Sequence, residues 1–495
     1  MKNLRLVLVM FVLCSIIFAQ QTVEEMMKQM QEQVNQEIEK SEEAVRKFIS
    51  KNDSLFAEFL KNEWKPFNAE EGEKPEEPPK PIEIPEIPEA EIEIGEFVPV
   101  DLDIPLEDDI DTRIRPEITP PEVIIPPEVE KEYAGMIVNF YDEELEFQYN
   151  KETKITAKKP VNDKTIPKYW EEISRVNTKP MLEQIDEYSK KMTLNDYGKL
   201  MLIKAIASEI LDDEESKVLF SWYLITKLGY DVRVGYGPGF AVLMIPTDNM
   251  LFSRPFLTIY NKRYFIFNFK ETQKRKFSQL YTYDKNHPAA KKYFDFAIPA
   301  LPTIGDFSAN KELSFKYQGQ KYSFDYGYNE ELVKYFDFYP QTDYDIYFSA
   351  PIAKGTKASF GKAFKPILEG KSEQEALNIL LRFVQTGFMY KTDDANFGRE
   401  KPLIPEETLF YKYSDCEDRS VLFSMLVEEL LGLKVVGVKY EGHMATAVKT
   451  TSKPKGDYIG HDGTKYLVCD PTYINANIGM SMPKYKNQKI TVIDF

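Results

Sequence analysis

The chain of 495 residues carries 80 acidic and 63 basic residues, which gives a formal charge of -17 at pH 7. This charge disfavours nucleic acid and anionic membrane surfaces as partners, because both would repel it. Three cysteines are too few for a fold built on disulfides, and three scattered histidines have no spacing typical of a metal site. We therefore predict a fold stabilised by hydrophobic cores, with no metal and no other cofactor.

The N-terminus has the pattern of an export signal. Lys2 and Arg5 precede an apolar run over residues 6–18, and the small residue Ala19 follows. Charged, apolar and small residues in this order are typical of a secretory signal peptide, and the run is too short to span a bilayer. We predict a signal peptide over residues 1–20 and an exported protein, periplasmic or extracellular, with no transmembrane segment.

Residues 21–65 are predicted to form an amphipathic helix or helix pair. The segment is rich in Glu, Gln and Lys, and its apolar residues recur at roughly helical intervals. A long coiled coil is less favoured, because Glu37 and Ser41 would lie on its seam. The apolar face can pack on the rest of this chain or on a second chain, so the partner of this helix stays open.

Residues 66–132 change composition abruptly, with Pro-Glu-Ile units over residues 81–88 and the proline pairs at 120–121 and 126–127. Proline cannot donate to a helix or to a sheet, and the carboxylates repel one another. We predict an extended, semi-rigid linker that forms no domain. The alternative is that its alternating isoleucines dock as an edge strand on the body or on a partner.

The remaining stretch of about 360 residues is too long for one core, and internal similarity suggests two units. When residues 213–240 are aligned with residues 416–443 without a gap, nine of the twenty-eight positions are identical. We predict an α+β fold with two tandem domains, residues 133–300 and 301–495. Each is predicted as a helix cluster packed on a small antiparallel sheet.

One cysteine in the second unit lies where a loop turns into a helix. Ser414 and Glu417 fit the S-x-x-E capping box, and apolar residues at helical spacing follow from Val421 to Leu430. Cys416 is therefore predicted in the first helical turn, where backbone N–H groups and the helix dipole favour a thiolate and can stabilise an oxyanion. We expect a lowered pKa for this thiol, although its acidic neighbours oppose that and call for a further positive group.

Two strand-like runs follow that helix and supply partners for the thiol. His443 opens the first run, and Asp470 ends the second. The order Cys, His, Asp on a helix and neighbouring strands is that of a papain-like acyl-transfer triad. We predict that Cys416 attacks, that His443 takes and returns protons, and that Asp470 holds the imidazole in its working tautomer.

Residues 370–480 resemble the transglutaminase-like superfamily. The resemblance is carried by D-C-x-D at 415–418, G-H at 442–443 and D-P-T at 470–472, in this order. It implies tandem transglutaminase-like, papain-like domains and a secreted cysteine enzyme, either an acyltransferase or a peptidase. Its substrate would be a protein or peptide.

Substrate contacts are expected in the loop of residues 390–413. Tyr390 and Gln385 are predicted as oxyanion or substrate partners, and the alternative is that the tyrosines of this loop only cover the rim of the core. The sequence departs from many relatives at Ser414, where they have glycine, and at Met444, where they have an aromatic residue. Both departures bear on substrate choice.

The other thiol and imidazoles are predicted to lie outside the site. Adjacent strand residues face opposite sides, so Cys469 should point away from Asp470 into the core, which argues against a disulfide with Cys416. His461 lies in a polar hairpin and His287 in a loop, and both are predicted at the surface.

The internal alignment predicts that the first unit has lost the chemistry. It places Asp213 opposite the nucleophile, Phe240 opposite the histidine and Asn268 opposite the aspartate. None of these side chains can take over the corresponding role.

Two functions remain open from the sequence. The first is an exported cysteine acyl-transfer enzyme acting on peptide or glutamine amides. The second is a non-catalytic binding or scaffold protein that retains the fold. Only the first predicts a reactive thiol.

Overall fold

The computed structural model describes residues 50–75, 84–89, 97–100, 102, 118–123, 125, 130–270, 275–307 and 309–495. The predicted signal peptide and most of the predicted N-terminal helix lie outside the described residues. Among the described residues, no helix combines the length and the apolar character needed to cross a membrane. The fold mixes helices with antiparallel sheets, so the predicted α+β class is confirmed.

The first half of the chain contains five helices and eight strands among its described residues. A helix over residues 50–60, α1, is followed by α2 (Thr165–Ile173), α3 (Lys179–Lys191), α4 (Asp196–Ile210) and α5 (Glu214–Lys227). The strands are β1 (Lys65–Asn68), β2 (Tyr133–Phe140), β3 (Glu143–Asn150), β4 (Arg233–Gly237), β5 (Phe240–Pro246), β6 (Phe256–Ile259), β7 (Lys262–Phe267) and β8 (Gln279–Thr282).

Six of these strands form a sheet that nearly closes into a barrel. Its order is β1-β8-β4-β5-β7-β6, with antiparallel neighbours throughout, and a bridge between Glu70 and Phe256 links the end of β1 to β6. Along β5, Val242 and Met244 belong to one apolar cluster while Leu243 and Ile245 belong to another. The alternation of strand side chains thus fills both faces of the sheet.

The second half contains the remaining helices and strands. Its helices are α6 (Glu330–Asp337), α7 (Tyr344–Phe348), α8 (Lys354–Leu368), α9 (Glu373–Gly387), α10 (Asp393–Phe397), α11 (Pro405–Phe410) and α12 (Cys416–Leu431). Its strands are β9 (Ala309–Tyr317), β10 (Gln320–Tyr328), β11 (Met389–Tyr390), β12 (Tyr413–Ser414), β13 (Val435–Tyr440), β14 (His443–Val448), β15 (Tyr458–His461), β16 (Thr464–Cys469) and β17 (Thr491–Ile493).

The two main sheets share one strand order. The half-barrel of the second half runs β17-β13-β14-β16-β15, and the corresponding part of the first sheet runs β8-β4-β5-β7-β6. In both halves a two-stranded hairpin and several helices precede the sheet. The helices α4 and α9 each have fifteen residues, β7 and β16 each have six, and β6 and β15 each have four.

The halves differ most between the fifteen-residue helix, α4 or α9, and the helix that directly precedes the sheet, α5 or α12. In the first half, residues 211–213 join α4 to α5, whereas residues 388–415 join α9 to α12. We call residues 388–415 the insertion. It contains α10, α11 and the parallel pair of β11 and β12, and it leads directly into α12.

Several parts of the predicted linker contact the body. Residues 66–68 belong to β1 and so to the first sheet, and residues 84–89 and 97–100 make backbone hydrogen bonds to the second half. For these described residues, docking on the body replaces the free tether that composition favours. The division at residue 300 stays a prediction.

One apolar core runs through both halves. It includes Trp170 and Trp222 of the first half, Tyr335 of α6, and Cys416 and Met444 of the second half. The chain after residue 300 therefore completes the core of the residues before it.

Candidate functional site

Helix α12 begins at Cys416. The predicted capping box of Ser414 and Glu417 would have started it one residue earlier. Asp415 is the N-cap, and its backbone N–H donates to the carboxylate of Asp418 at 3.1 Å. The predicted box of Ser414 and Glu417 is wrong, because Ser414 pairs with Tyr390 in the parallel ladder of β11 and β12 and is held extended. The cysteine nevertheless lies in the first helical turn, as predicted.

His443 and Asp470 lie at adjacent ends of neighbouring strands. His443 is the first residue of β14, and Asp470 follows the last residue of β16, which pairs with β14. The imidazole Nε2 is 2.9 Å from Asp470 Oδ2, and Asp470 Oδ1 accepts the backbone N–H groups of Thr472 and Tyr473 at 2.9 and 3.2 Å. These two backbone hydrogen bonds fix the orientation of the carboxylate independently of its contact with the imidazole.

The other imidazole nitrogen is available. Nδ1 of His443 is buried and has no hydrogen-bond partner among the residues that the structure describes. When Asp470 accepts a hydrogen bond from Nε2–H, Nδ1 is the basic nitrogen, because a neutral imidazole carries one N–H. The arrangement thus presents a proton acceptor inside the site.

The thiol of Cys416 contacts the same strand. Its sulfur accepts the backbone N–H of Met444, the residue after the histidine, and lies 2.9 Å from Glu417 Oε2. The side chain is fully buried. Burial and the negative charges of Glu417 and Asp415 raise the pKa of the thiol, opposite to the lowered pKa expected from the helix terminus.

Aromatic rings enclose the histidine. The ring of Tyr485 stacks on His443 with centroids 4.6 Å apart, and that of Tyr440 lies nearly parallel to it at 6.0 Å. A cavity of about 570 Å³ reaches His443 and Glu417 from the surface and is also lined by Tyr344. The cavity therefore lies beside the first turn of α12, next to the residue that follows Cys416.

Tyr390 and Gln385, the two further predicted site residues, take different positions. The hydroxyl of Tyr390 is buried without a partner in the described part of the chain, and burial followed by the charge of Cys416 raises its pKa. Gln385 is also buried, but its amide nitrogen donates to the carbonyls of Asp470, Tyr473 and Ala476. Tyr390 is thus placed to donate near the thiol, while Gln385 holds the loop after Asp470.

Arg419 is a buried cation beside the site that the sequence did not single out. It donates to Ser414 Oγ and to the carbonyls of Gln385 and Phe388, and its guanidinium lies 5.4 Å from the ring centre of Tyr390. Burial lowers its pKa to about 10, while the nearby anionic groups favour its charged form. It thus places a buried cation near Asp415 and Asp418, the carboxyl groups next to the cysteine.

Five carboxyl groups of the insertion and of α12 lie close together near the thiol of Cys416. They form two sets whose oxygens lie within 4.8 Å of one another: Asp393, Glu400 and Glu417, and Asp393, Asp415 and Asp418. Burial comes first among the causes that raise the pKa of each, to about 7 for Asp418 and about 11 for Asp393.

This cluster can hold a hard cation. One oxygen each of Glu400, Asp415 and Glu417 is buried with no hydrogen-bond partner among the described residues. Carboxylate oxygens in such numbers are the ligands that Ca²⁺ prefers. The sequence analysis weighed only His and Cys spacings, and it missed carboxylates that come together from separate elements.

The side chains of the remaining histidines and of Cys469 contact other groups. His287 is buried, contrary to the prediction, because α1 covers it and Asp53 of that helix lies 3.2 Å from its Nε2. His461 is half-buried and lies 2.6 Å from Asp494. Cys469 is buried in an apolar cluster, and both it and Cys416 are free thiols.

The first half places the aligned residues at the corresponding element ends. Asp213 is the N-cap of α5, Phe240 is the first residue of β5, and Asn268 directly follows β7. In the second half His443 and Asp470 take the corresponding strand positions, whereas Cys416 lies one residue after the N-cap Asp415. The site therefore has its chemical groups in the second half.

No family model matches the sequence, and no curated protein or solved structure matches it either. The function is therefore argued from the site itself.

Proposed function

We propose that the chain is an exported cysteine acyl-transfer enzyme of the transglutaminase-like type that attacks peptide or glutamine amides. The observation that carries the proposal is the hydrogen-bonded pair of His443 and Asp470, with its Nδ1 unpaired among the described residues, at the start of the strand whose next residue, Met444, donates its backbone N–H to the sulfur of Cys416. A thiol at a helix N-terminus, an imidazole and an orienting carboxylate are the groups that such chemistry needs.

The first half-reaction forms a thioester. His443 Nδ1 takes the thiol proton, and the sulfur of Cys416 attacks the carbonyl carbon of the amide. The resulting oxyanion accepts hydrogen bonds from the Cys416 backbone N–H and from the hydroxyl of Tyr390. The imidazolium then returns its proton to the amide nitrogen, which leaves as an amine or as ammonia when the C–N bond breaks.

The second half-reaction releases the acyl group. Water or a primary amine gives a proton to His443 as it attacks the thioester carbon, and the imidazolium protonates the departing sulfur. Water makes the enzyme a peptidase or amidase, and an amine makes it a transglutaminase. Asp470 accepts the Nε2–H throughout and so keeps Nδ1 basic.

The tandem arrangement belongs to this proposal. The shared strand order and the matched element ends support descent of both halves from one transglutaminase-like unit. In this proposal the first half kept the fold and braces the second.

Alkylation mapped by mass spectrometry tests the proposal. Iodoacetamide should modify Cys416 faster than Cys469, and His443→Ala should lower the rate at Cys416 alone. Equal rates at the two cysteines, unchanged by His443→Ala, would exclude the triad. Product analysis with and without a fluorescent primary amine then distinguishes hydrolysis from amine transfer.

The second candidate function is a binding protein that keeps the fold without turnover. Its support is the complete burial of the Cys416 side chain and the raised pKa of its thiol. A peptide-amide library decides between the two, because the enzyme forms an acyl adduct on Cys416 and the binding protein does not.

A further inference from the structure

We propose that residues 84–89 form an intramolecular strap that positions the triad aspartate, and that Glu89 and Arg382 are positioning residues for His443. This inference rests on the proposed function of the site. It concerns the loop of residues 470–476, which starts at Asp470 and is held from two sides.

The strap holds the outer side of that loop. The N–H of Ile474 donates to the carbonyl of Pro85 at 3.1 Å, and the N–H of Ile87 donates to the carbonyl of Ile474 at 3.2 Å. The amide of Asn475 also donates to the carbonyl of Ile87 at 2.8 Å. These bonds form a short parallel ladder, so the strap fixes the loop backbone in one register.

Helix α9 holds the inner side of the loop. Gln385 donates to the carbonyls of Asp470, Tyr473 and Ala476 at 3.1, 2.7 and 3.1 Å. Its amide oxygen accepts from Arg382 Nε at 3.0 Å, which fixes the orientation of the amide. A rotation of Gln385 would therefore release the backbone on which the triad carboxylate stands.

Glu89 joins the strap to the helix. Its Oε1 lies 2.8 Å from Arg382 Nη1 and also accepts the backbone N–H of Gln318 at 2.8 Å. The side chain of Arg382 is only 3% exposed, while that of Glu89 is 33% exposed. A guanidinium buried to this degree needs a counter-charge, and the strap supplies it.

The contacts of Arg382 and Gln385 are specific to the half that carries the proposed triad. The helices α4 and α9 have equal length, and the positions of Arg382 and Gln385 on α9 correspond to Ala205 and Ser208 on α4. Neither side chain can reproduce the contacts of Arg382 or Gln385. The half without the triad residues thus also lacks the side chains that would hold such a loop.

Histidine NMR tests the strap directly, because the chain has only three histidines. In full-length protein labelled with ¹⁵N-histidine, the Nε2–H signal of His443 reports its hydrogen bond to Asp470, and His443→Ala assigns it. Glu89→Gln removes the counter-charge and should shift this signal and slow alkylation of Cys416 roughly tenfold. Glu89→Asp, which keeps the charge, should restore much of both.

The matched control is Glu86→Gln on the same strap, since Glu86 is exposed and its side chain lies 3.5 Å from Asn475. It should leave the signal and the rate as in the parent. An unchanged His443 signal in Glu89→Gln, or an equal shift in Glu86→Gln, would overturn the strap proposal. Slow alkylation of Cys416 in the parent would instead count against the proposed enzyme, while the His443 signal would still decide the role of the strap.

Discussion

The two carboxylate oxygens of Asp470 have different partners. Oδ1 accepts backbone N–H groups, and Oδ2 accepts the Nε2–H of His443. Asp470→Asn keeps the shape of the side chain, but an amide N–H group cannot accept the Nε2–H. We expect the imidazole to switch tautomer and the acylation rate to fall by about 10³ to 10⁴. His443→Ala should cost more, because it removes the base itself.

The chain provides a control for that comparison. His461 and Asp494 form a second His–Asp pair, 2.6 Å apart and partly exposed. Asp494→Asn should leave labelling of Cys416 by an acylating probe at the parent rate. A loss equal to that of Asp470→Asn would mean that the effect is not specific to the triad.

Glu406 makes stability depend on pH. It is fully buried, accepts from the N–H of Ala353 and the hydroxyl of Thr356, and burial raises its pKa to about 7. A raised folded-state pKa gives stability that is present below the unfolded value and is lost as pH rises through the folded value. Its contribution should therefore fall between about pH 4.5 and pH 7.

Glu406→Gln isolates this contribution. The amide is isosteric and cannot ionise, so we expect the variant to unfold with a free energy about 1–3 kcal/mol higher than the parent at pH 8 and to show no gain at pH 4. Urea unfolding at both pH values measures it. Glu209→Gln, on the exposed side of α4, should show no such difference. An equal effect of Glu406→Gln at both pH values would contradict the assignment.

At the residue scale, the sequence predicted site residues that belong to a motif. It missed the roles that residues acquire only through tertiary contacts. The triad positions follow from motif order, whereas the roles of Arg419 and Gln385 depend on which carbonyls the fold brings near them. The lowered pKa expected for the thiol was wrong for a related reason. The helix terminus is visible in the sequence, but the burial of the thiol, which does most to raise its pKa, and of the carboxyl groups beside it is not.

At the scale of elements, the insertion brings its carboxyl groups Asp393, Glu400 and Asp415 to Glu417 and Asp418 of α12. We expect that Ca²⁺ binds there and raises the stability of the chain by about 3 kcal/mol at a hundredfold excess over its dissociation constant. The cation would replace the protons that these groups otherwise keep. Thermal unfolding with Ca²⁺ and with EDTA measures the effect.

Two neighbouring residues of α10 make a matched pair for that measurement. Asp393 is buried in the cluster, whereas Asp394 is exposed on the same helix. Asp393→Asn should abolish the Ca²⁺-dependent rise in unfolding temperature, and Asp394→Asn should retain it. A parent chain whose unfolding temperature is the same in Ca²⁺ and in EDTA would rule out the cation.

Elements with a strong apolar period were predictable, and docked segments were not. Helix α12 ends at Leu431 and is capped by Gly432, whose φ of 63° suits glycine, and the hairpin predicted around His461 turns at Asp462-Gly463 between β15 and β16. In contrast, β1 and the strap have proline- and glutamate-rich surroundings. The hydrogen bonds of β1 depend on the edge strand β8, and those of the strap depend on the loop of residues 470–476, and both partners form only when the rest of the chain folds.

At the scale of the whole molecule, polar contacts join the two halves. Asn195 is the N-cap of α4 and accepts the hydroxyl of Tyr335, while its amide donates to the hydroxyl of Tyr339. The hydroxyl of Tyr197 donates to the carbonyl of Phe338. The three tyrosines belong to the same apolar core as Cys416. Because that core is shared by both halves, we expect the halves to unfold together.

The chain carries separate probes for its two halves. All three tryptophans, Trp64, Trp170 and Trp222, lie before residue 300, whereas Cys416 and Cys469 lie after it. Tryptophan fluorescence and pulsed alkylation of the cysteines should therefore give the same urea midpoint. Asn195→Ala removes a helix cap and the acceptor of the Tyr335 hydroxyl, while the Tyr339 hydroxyl keeps the carbonyl of Phe296. Both midpoints should therefore fall together, as the free energy of unfolding drops by about 2–4 kcal/mol. Separate midpoints, or a shift in the fluorescence transition alone, would mean that the first half does not brace the site.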